Sequence, residues 1–185
     1  WATQWPPLSL TTAAALLEAD GHSVEVQDFP AAGLDLKALG RMLTRWPFRM
    51  ACWSTATPTL EGDLAVARLV KSVSPATTTA VFGTHVSARP EDALAEPAVD
   101  LVIRGEPEGI LRALCRVEPD RLSDVAGISC RQTDPPGIRH NPDAPLLPPE
   151  EIPPPAWHLI DPGLYRLPLK GRPFLMVAPV RGCPF

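Results

Sequence analysis

The sequence predicts an α/β fold: an open, doubly wound sheet of parallel strands with helices on both faces. Three observations predict it. Short apolar, strand-like runs alternate with helical stretches at roughly 25-residue spacing, the rhythm of βαβ units. Most of these strand-like runs pass into a turn rich in Gly, Pro, Ser or Thr before the next helix, as parallel strands do when right-handed crossovers connect them. The chain has 185 residues, 45% of them hydrophobic, which is enough for one domain with a real core and an appendage.

The elements follow in order. Thr11 to Ala19 reads as a helix stopped by Asp20-Gly21. His22 to Asp28 alternates apolar and polar residues with period two and predicts a strand. Leu34 to Trp46 carries Leu36, Leu39, Met42 and Leu43 at helical spacing. Met50 to Ser54 is a short buried strand, and Leu60 to Ser72 is a helix with Leu60, Leu64, Ala67 and Val70 on one face. Thr79 to Phe82 predicts a strand ending at Gly83; Pro90 to Ala95 a short helix; Asp100 to Ile103 a strand; and Glu108 to Val117 a helix. Gly127 to Arg131 and Gly137 to His140 predict a small hairpin across Asp134-Pro135-Pro136-Gly137.

In such a fold a central first strand precedes the first helix. Here that helix begins near Thr11 behind a Trp5-Pro6-Pro7 turn, and the chain opens on Trp1 without a Met. The expectation is a fragment whose first strand lies upstream. Nine prolines between Pro135 and Pro155 forbid helix and central strand and predict an extended, semi-rigid linker. Leu175 to Ala178 then reads as one more strand, running into Arg181-Gly182-Cys183-Pro184-Phe185. The expected organisation is a domain over residues 1–133, a linker over 134–172 and the start of another unit over 173–185.

Composition narrows the function. Net charge is −4 and no Lys/Arg block occurs, which argues against nucleic acid as a partner. No apolar run approaches the roughly 20 residues that span a bilayer. Cys52, Cys115, Cys130 and Cys183 form no CxxC pair, and the first three read as free thiols of a cytoplasmic protein.

Ligands of open α/β sheets sit at the carboxyl ends of the strands. Four loops meet that edge: Pro7, Leu8 and Ser9; Ser54, Thr55 and Thr57; Gly83 and His85; and Gly105, Glu106 and Glu108. The second offers hydroxyls ahead of a helix N-terminus, where unpaired N–H groups favour polar or anionic ligands. Gly83 and Gly105 permit close backbone approach. The same residues also suit ordinary caps and turns. No GxGxxG or GxxxxGK[ST] is present, so dinucleotide and P-loop sites lack support. His85 suits either metal ligation, a hydrogen bond to a ligand, or packing of its loop.

The ordered set "PPLSLTTAAALLEADGHSVEVQDF", "STATPT", "VFGTHVSARPEDALAEPAVDLVIRGEPE", "GISCR", "PAWHLIDPGLYR" and "RGCPF" resembles the cobalamin-binding-domain radical SAM proteins. The resemblance covers essentially the whole chain. It implies a Rossmann-like N-terminal domain, with flavodoxin-like strand order, holding cobalamin through the four loops. A linker and the first strand of a radical SAM barrel, cut short here, would follow. It implies that Cys183 is the first cysteine of Cys-x3-Cys-x2-Cys and ligates a [4Fe-4S] cluster. That cluster would bind S-adenosylmethionine and cleave it to a 5′-deoxyadenosyl radical, with electrons from a donor such as flavodoxin or ferredoxin. Methylation or oxidative cyclisation of a small-molecule substrate is the implied chemistry, with the fragment itself inactive. The Asp-x-His-x-x-Gly signature of cobalt-ligating domains is absent, which implies base-off binding without a protein ligand. Gly83-Thr84 stands where Gly-Gly is common. The alternative from the residues alone is a non-catalytic doubly wound binding or regulatory module.

Overall fold

A computed structural model describes residues 4–178. Its helices are α1 (Leu8–Ala19), α2 (Phe29–Ala32), α3 (Leu36–Arg45), α4 (Leu60–Val73), α5 (Thr84–Ala88), α6 (Pro90–Leu94) and α7 (Pro107–Arg116). Its strands are β1 (Met50–Ser54), β2 (Thr78–Phe82), β3 (Leu101–Ile103), β4 (Ile128–Thr133) and β5 (Pro136–His140). Among the described residues they form one five-stranded sheet in the order β1-β2-β3-β4-β5.

Alternation along the strands sends side chains to opposite faces, and each face has its own helical cover. Ala80, Phe82, Leu101, Ile103 and Ile128 pack with Ala13 of α1 and Ile110, Leu111 and Leu114 of α7. Val81 and Val102 point the other way, into Leu64 and Ala67 of α4, Val86 of α5 and Ala93 and Leu94 of α6. The doubly wound architecture is therefore present. Leu39 and Leu43 of α3 pack on Val70 of α4 as an outer layer.

The sheet is mixed where a parallel one is expected. β1, β2 and β3 run parallel, but β4 pairs antiparallel with β3 and β5 antiparallel with β4. The reason lies in the chain after α7. A 3-10 segment over Pro119–Asp124 carries it back toward the carboxyl end of β3, and Ile128 enters the sheet opposite Ile103. From there the strand can only run the other way. The sheet then continues through β5 to His140.

Residues 22–28 form no strand. Their exposure still alternates, with His22, Val24 and Val26 half-buried and Ser23, Glu25 and Gln27 exposed. The pattern survives without a ladder because, among the described residues, no strand lies alongside to exchange hydrogen bonds. Instead a groove of about 270 Å³ separates them from β1, floored by Ala13, Ala14 and Leu111 and walled by Met50 and Cys52. β1 is thus an edge strand, and Met50 to Trp53 are only half-buried.

The proline-rich stretch is docked. Ala156 N–H donates to the Thr11 carbonyl at 2.9 Å, His158 meets Glu18 at 3.1 Å, and Tyr165 is fully buried with its hydroxyl donating to Asp28 at 3.0 Å. Prolines exclude helix and ladder, but the stretch still reaches partners through short 3-10 turns over Pro149–Glu151, Trp157–Leu159 and Pro162–Leu164.

Helices α1 and α7 are clamped at their far ends by Asp20. Its carboxylate accepts from Arg112 at 2.6 Å and 2.8 Å and from Arg116 at 3.0 Å and 3.1 Å. The hydrogen bonds from Arg112, then Arg116, hold the Asp20 carboxyl far below the usual carboxylate range. A depressed folded-state pKa stabilises above the unfolded value, and the gain is lost as pH falls toward the folded value. Asp20→Asn is therefore expected to lower the thermal midpoint at neutral pH. It should also flatten the fall of that midpoint between about pH 5 and pH 2, read by circular dichroism melts.

Candidate functional site

The carboxyl edge of β1 and β2 is where the expected site residues meet. Ser54 ends β1, and the chain turns in at Thr55, whose N–H donates to the Phe82 carbonyl at 2.8 Å. Gly83 lies against this turn. A Cβ on it would fall 2.0 Å from the Thr55 carbonyl oxygen, and its φ of +140° is one that only glycine adopts easily. Gly83 is thus required where the two loops cross.

Beyond the crossing, Thr57 and His85 join the loops through their side chains, with Thr57 Oγ1 3.0 Å from His85 Nδ1. The other ring nitrogen is also engaged, since Nε2 lies 3.0 Å from Asp92 Oδ2. Arg89 closes the group, donating to Asp92 Oδ2 at 2.9 Å and Oδ1 at 3.1 Å. Arg89 foremost, then His85, draws the Asp92 carboxyl below its ordinary range. Sequence reading missed Asp92 and Arg89. The signal available was their spacing: α6 starts one residue after Arg89, and its first turn folds Asp92 back onto His85.

The third and fourth loops meet at Ser87, whose hydroxyl accepts from the Gly105 N–H at 2.9 Å. Gly105 has φ of +85°, with open space where a Cβ would point. Here a hollow of about 330 Å³ opens, lined by Ser87, Arg104, Gly105, Glu106 and the 143–146 stretch. Arg104 anchors that stretch, donating to Asp143 at 2.7 Å and to the Asn141 carbonyl. Glu108, by contrast, is 1% exposed in the first turn of α7 and faces the interior.

The structure thus brings together Ser54, Thr55, Thr57, Gly83 and His85, and links Gly105 and Glu106 to them through Ser87. Pro7, Leu8 and Ser9 form the start of α1, where the Thr11 N–H donates to the Pro7 carbonyl at 2.9 Å; no bond joins them to the other loops among the described residues. Cys183 lies outside the described residues.

Two polar groups of this edge lack a partner that a ligand could supply. Thr55 is 6% exposed, and its hydroxyl oxygen is buried without a hydrogen-bond partner among the described residues. Arg104 Nε, just after β3, is buried without one as well, whereas buried polar groups are normally paired. The imidazole of His85 has both nitrogens engaged within the edge, Nδ1 with Thr57 and Nε2 with Asp92. Among the described residues, no group of three or more His, Cys, Asp and Glu side chains is placed to hold a metal ion. No helix among them is long and apolar enough to cross a membrane.

Comparison with known proteins bears on what that ligand is. The family described as "B12 binding domain" matches residues 2–115. No curated protein matches the sequence. Among solved structures, the cobalamin-dependent S-adenosylmethionine radical enzyme OxsB, with aqua-cobalamin and S-adenosylmethionine bound, is similar with a TM-score of 0.71 and 21% identity, over 83% of this chain and 22% of its own. The radical S-adenosylmethionine methyltransferase TsrM from Kitasatospora setae, with tryptophan substrate and a SAM analog bound, is similar with a TM-score of 0.62 and 16% identity, over 75% of this chain and 28% of its own. These likenesses show a shared fold, and the chain spans less than a third of the length of either enzyme.

Proposed function

Because the chain belongs to the B12-binding domain family, we propose that it holds cobalamin at the carboxyl edge of β1, β2 and β3, as the cofactor-carrying part of a cobalamin-dependent radical SAM enzyme. The observation that carries this reading is the buried, unpartnered hydroxyl of Thr55 in an edge rich in hydroxyls and glycine. A corrin rimmed with amides and a nucleotide tail offers many polar groups to such an edge. Ser54, Thr55 and Thr57 would bind through hydroxyls, Gly83 and Gly105 through close backbone approach, and Glu106 from the rim. Bound there, cobalamin supplies a cobalt centre able to carry a methyl group or an electron. The protein's own share is to orient the corrin and exclude water from one face of it. His85, held by Thr57 and Asp92, would join the two loops that face the corrin.

The remaining parts rest on the resemblance and on the radical enzymes that share the fold. In this reading Cys183 is a ligand of a [4Fe-4S] cluster that binds S-adenosylmethionine, a flavodoxin or ferredoxin supplies electrons, and a small molecule is the substrate. Methyl transfer or oxidative cyclisation is the chemistry that such an enzyme would perform. The free thiols Cys52, Cys115 and Cys130 support a cytoplasmic setting.

Titration with aquacobalamin, followed by absorbance, tests the first part. Saturable one-to-one binding with a base-off spectrum is expected, and its absence at tens-of-micromolar protein removes the cobalamin reading. Anaerobic reconstitution of the natural full-length protein with iron and sulfide tests the second. Cys183→Ala is expected to abolish both cluster absorbance and cleavage of S-adenosylmethionine; a variant that keeps both excludes Cys183 as a ligand.

A further inference from the structure

We propose that Asp92 and Arg89 are positioning residues that fix the tautomer of His85, so that Thr57 meets the bound ligand as a hydrogen-bond acceptor and selects a neutral N–H or O–H donor on it. The inference rests on the cobalamin reading and deepens it by naming what one point of the site recognises.

Arg89 engages both oxygens of Asp92, at 2.9 Å and 3.1 Å, and holds that carboxylate ionised. An ionised carboxylate only accepts, so the 3.0 Å contact with His85 requires the ring proton to be on Nε2. In the neutral imidazole Nδ1 then bears a lone pair, and the 3.0 Å contact from Thr57 is an O–H donation into it. A threonine hydroxyl has one proton and two acceptor sites. With the proton committed to His85, an exposed Thr57 presents lone pairs alone. A ligand amide or hydroxyl donor is matched there. A phosphate or carboxylate oxygen would meet lone pair with lone pair.

Cobalamin carries both kinds of matching donor: primary carboxamides around the corrin, and a ribose hydroxyl in the nucleotide tail. Cobinamide keeps the first and lacks the second. The test therefore measures binding of both compounds to the wild-type protein and to Thr57→Val, Thr57→Ser and Asp92→Ala. In parallel, nitrogen-15 NMR of the histidine ring reads the tautomer without any ligand.

The wild-type ring is expected to carry its proton on Nε2. Thr57→Val should weaken cobalamin about tenfold, as loss of one neutral hydrogen bond does, and Thr57→Ser should restore it. Asp92→Ala should bring the two ring-nitrogen shifts toward each other and weaken binding several-fold. A penalty shared by cobinamide assigns the donor to a carboxamide; a penalty confined to cobalamin assigns it to the ribose. The proposal is overturned by a proton on Nδ1 in the wild type. It also falls if Thr57→Val binds as well as or better than wild type, if serine fails to rescue, or if Asp92→Ala moves neither the shifts nor the affinity. Failure of the wild-type protein to bind either compound overturns the cobalamin reading itself, and with it the role given to Thr57. The ligand-free NMR result separates that outcome from a wrong tautomer.

Discussion

Gly83→Ala is expected to destabilise the protein by about 3 kcal/mol or more and to abolish cobalamin binding even where the fold survives. Two penalties act together. The residue's φ of +140° is strained for any L side chain, at about 1–3 kcal/mol. The new methyl would also lie 2.0 Å from the Thr55 carbonyl oxygen, a backbone atom that cannot rotate away. Relief requires parting the loops after β1 and β2, which breaks the 2.8 Å bond from Thr55 N–H to Phe82 and carries Thr57 away from His85. Thermal melts and aquacobalamin titration of the same preparation check both effects. Gly105→Ala is the control for stability only: its Cβ meets nothing within 4 Å, so its cost to the fold should be conformational alone, about 1 kcal/mol. Equal losses of thermal stability at the two glycines would show that the crossing of loops is not what Gly83 serves.

Tyr165→Ala is expected to cost about 3–5 kcal/mol, the range for truncating a fully buried aromatic residue. Tyr165 is 0% exposed although it lies in the stretch expected to be an extended, semi-rigid linker. Tyr165→Phe should cost only about 1 kcal/mol, for one hydrogen bond to Asp28. Burial first, then the bond to Asp28, raises the phenol above its ordinary value. A raised folded-state pKa gives stability that is present below the unfolded value, about 10, and lost as pH climbs through the folded one. Stability should therefore decline above about pH 10 in the wild type and less in the phenylalanine variant. The sequence holds a single tyrosine, so tyrosinate absorbance reports this residue alone. It should rise with unfolding and not before it. A tyrosinate signal at the ordinary pH, ahead of the loss of circular dichroism, would mean that the stretch is undocked.

These two residues also show what a sequence discloses. A glycine after a strand invites close approach, and at Gly83 the close approach is real, though to Thr55 first. Nothing in the sequence marks Tyr165 in the same way. Proline density states which hydrogen-bond patterns are impossible, and it is silent on packing, so docking through one tyrosine, one backbone amide at Ala156 and one histidine left no periodic trace. The alternation over residues 22–28 erred in the opposite direction. It records which side chains face inward, whereas a strand is defined by its neighbour. The rhythm of β1, α4, β2 and β3 was legible because each element buries a face at its own period. The reversal at β4 was not, since it depends on how far the 3-10 segment after α7 carries the chain. Asp92 and Arg89 escaped because a helix of five residues has too few positions to show a period.

The groove beside β1 bears on how the protein behaves in company. Met50 to Trp53 present one side of a strand with backbone groups that no neighbour takes up among the described residues, and β1 itself contains neither lysine nor proline. An edge without charge or proline invites pairing with another extended chain. Concentrated solutions of these 185 residues taken alone should therefore associate through β1, and light scattering should rise with concentration. Met50→Lys, which sets a charge into the groove that Met50 lines, should suppress the rise.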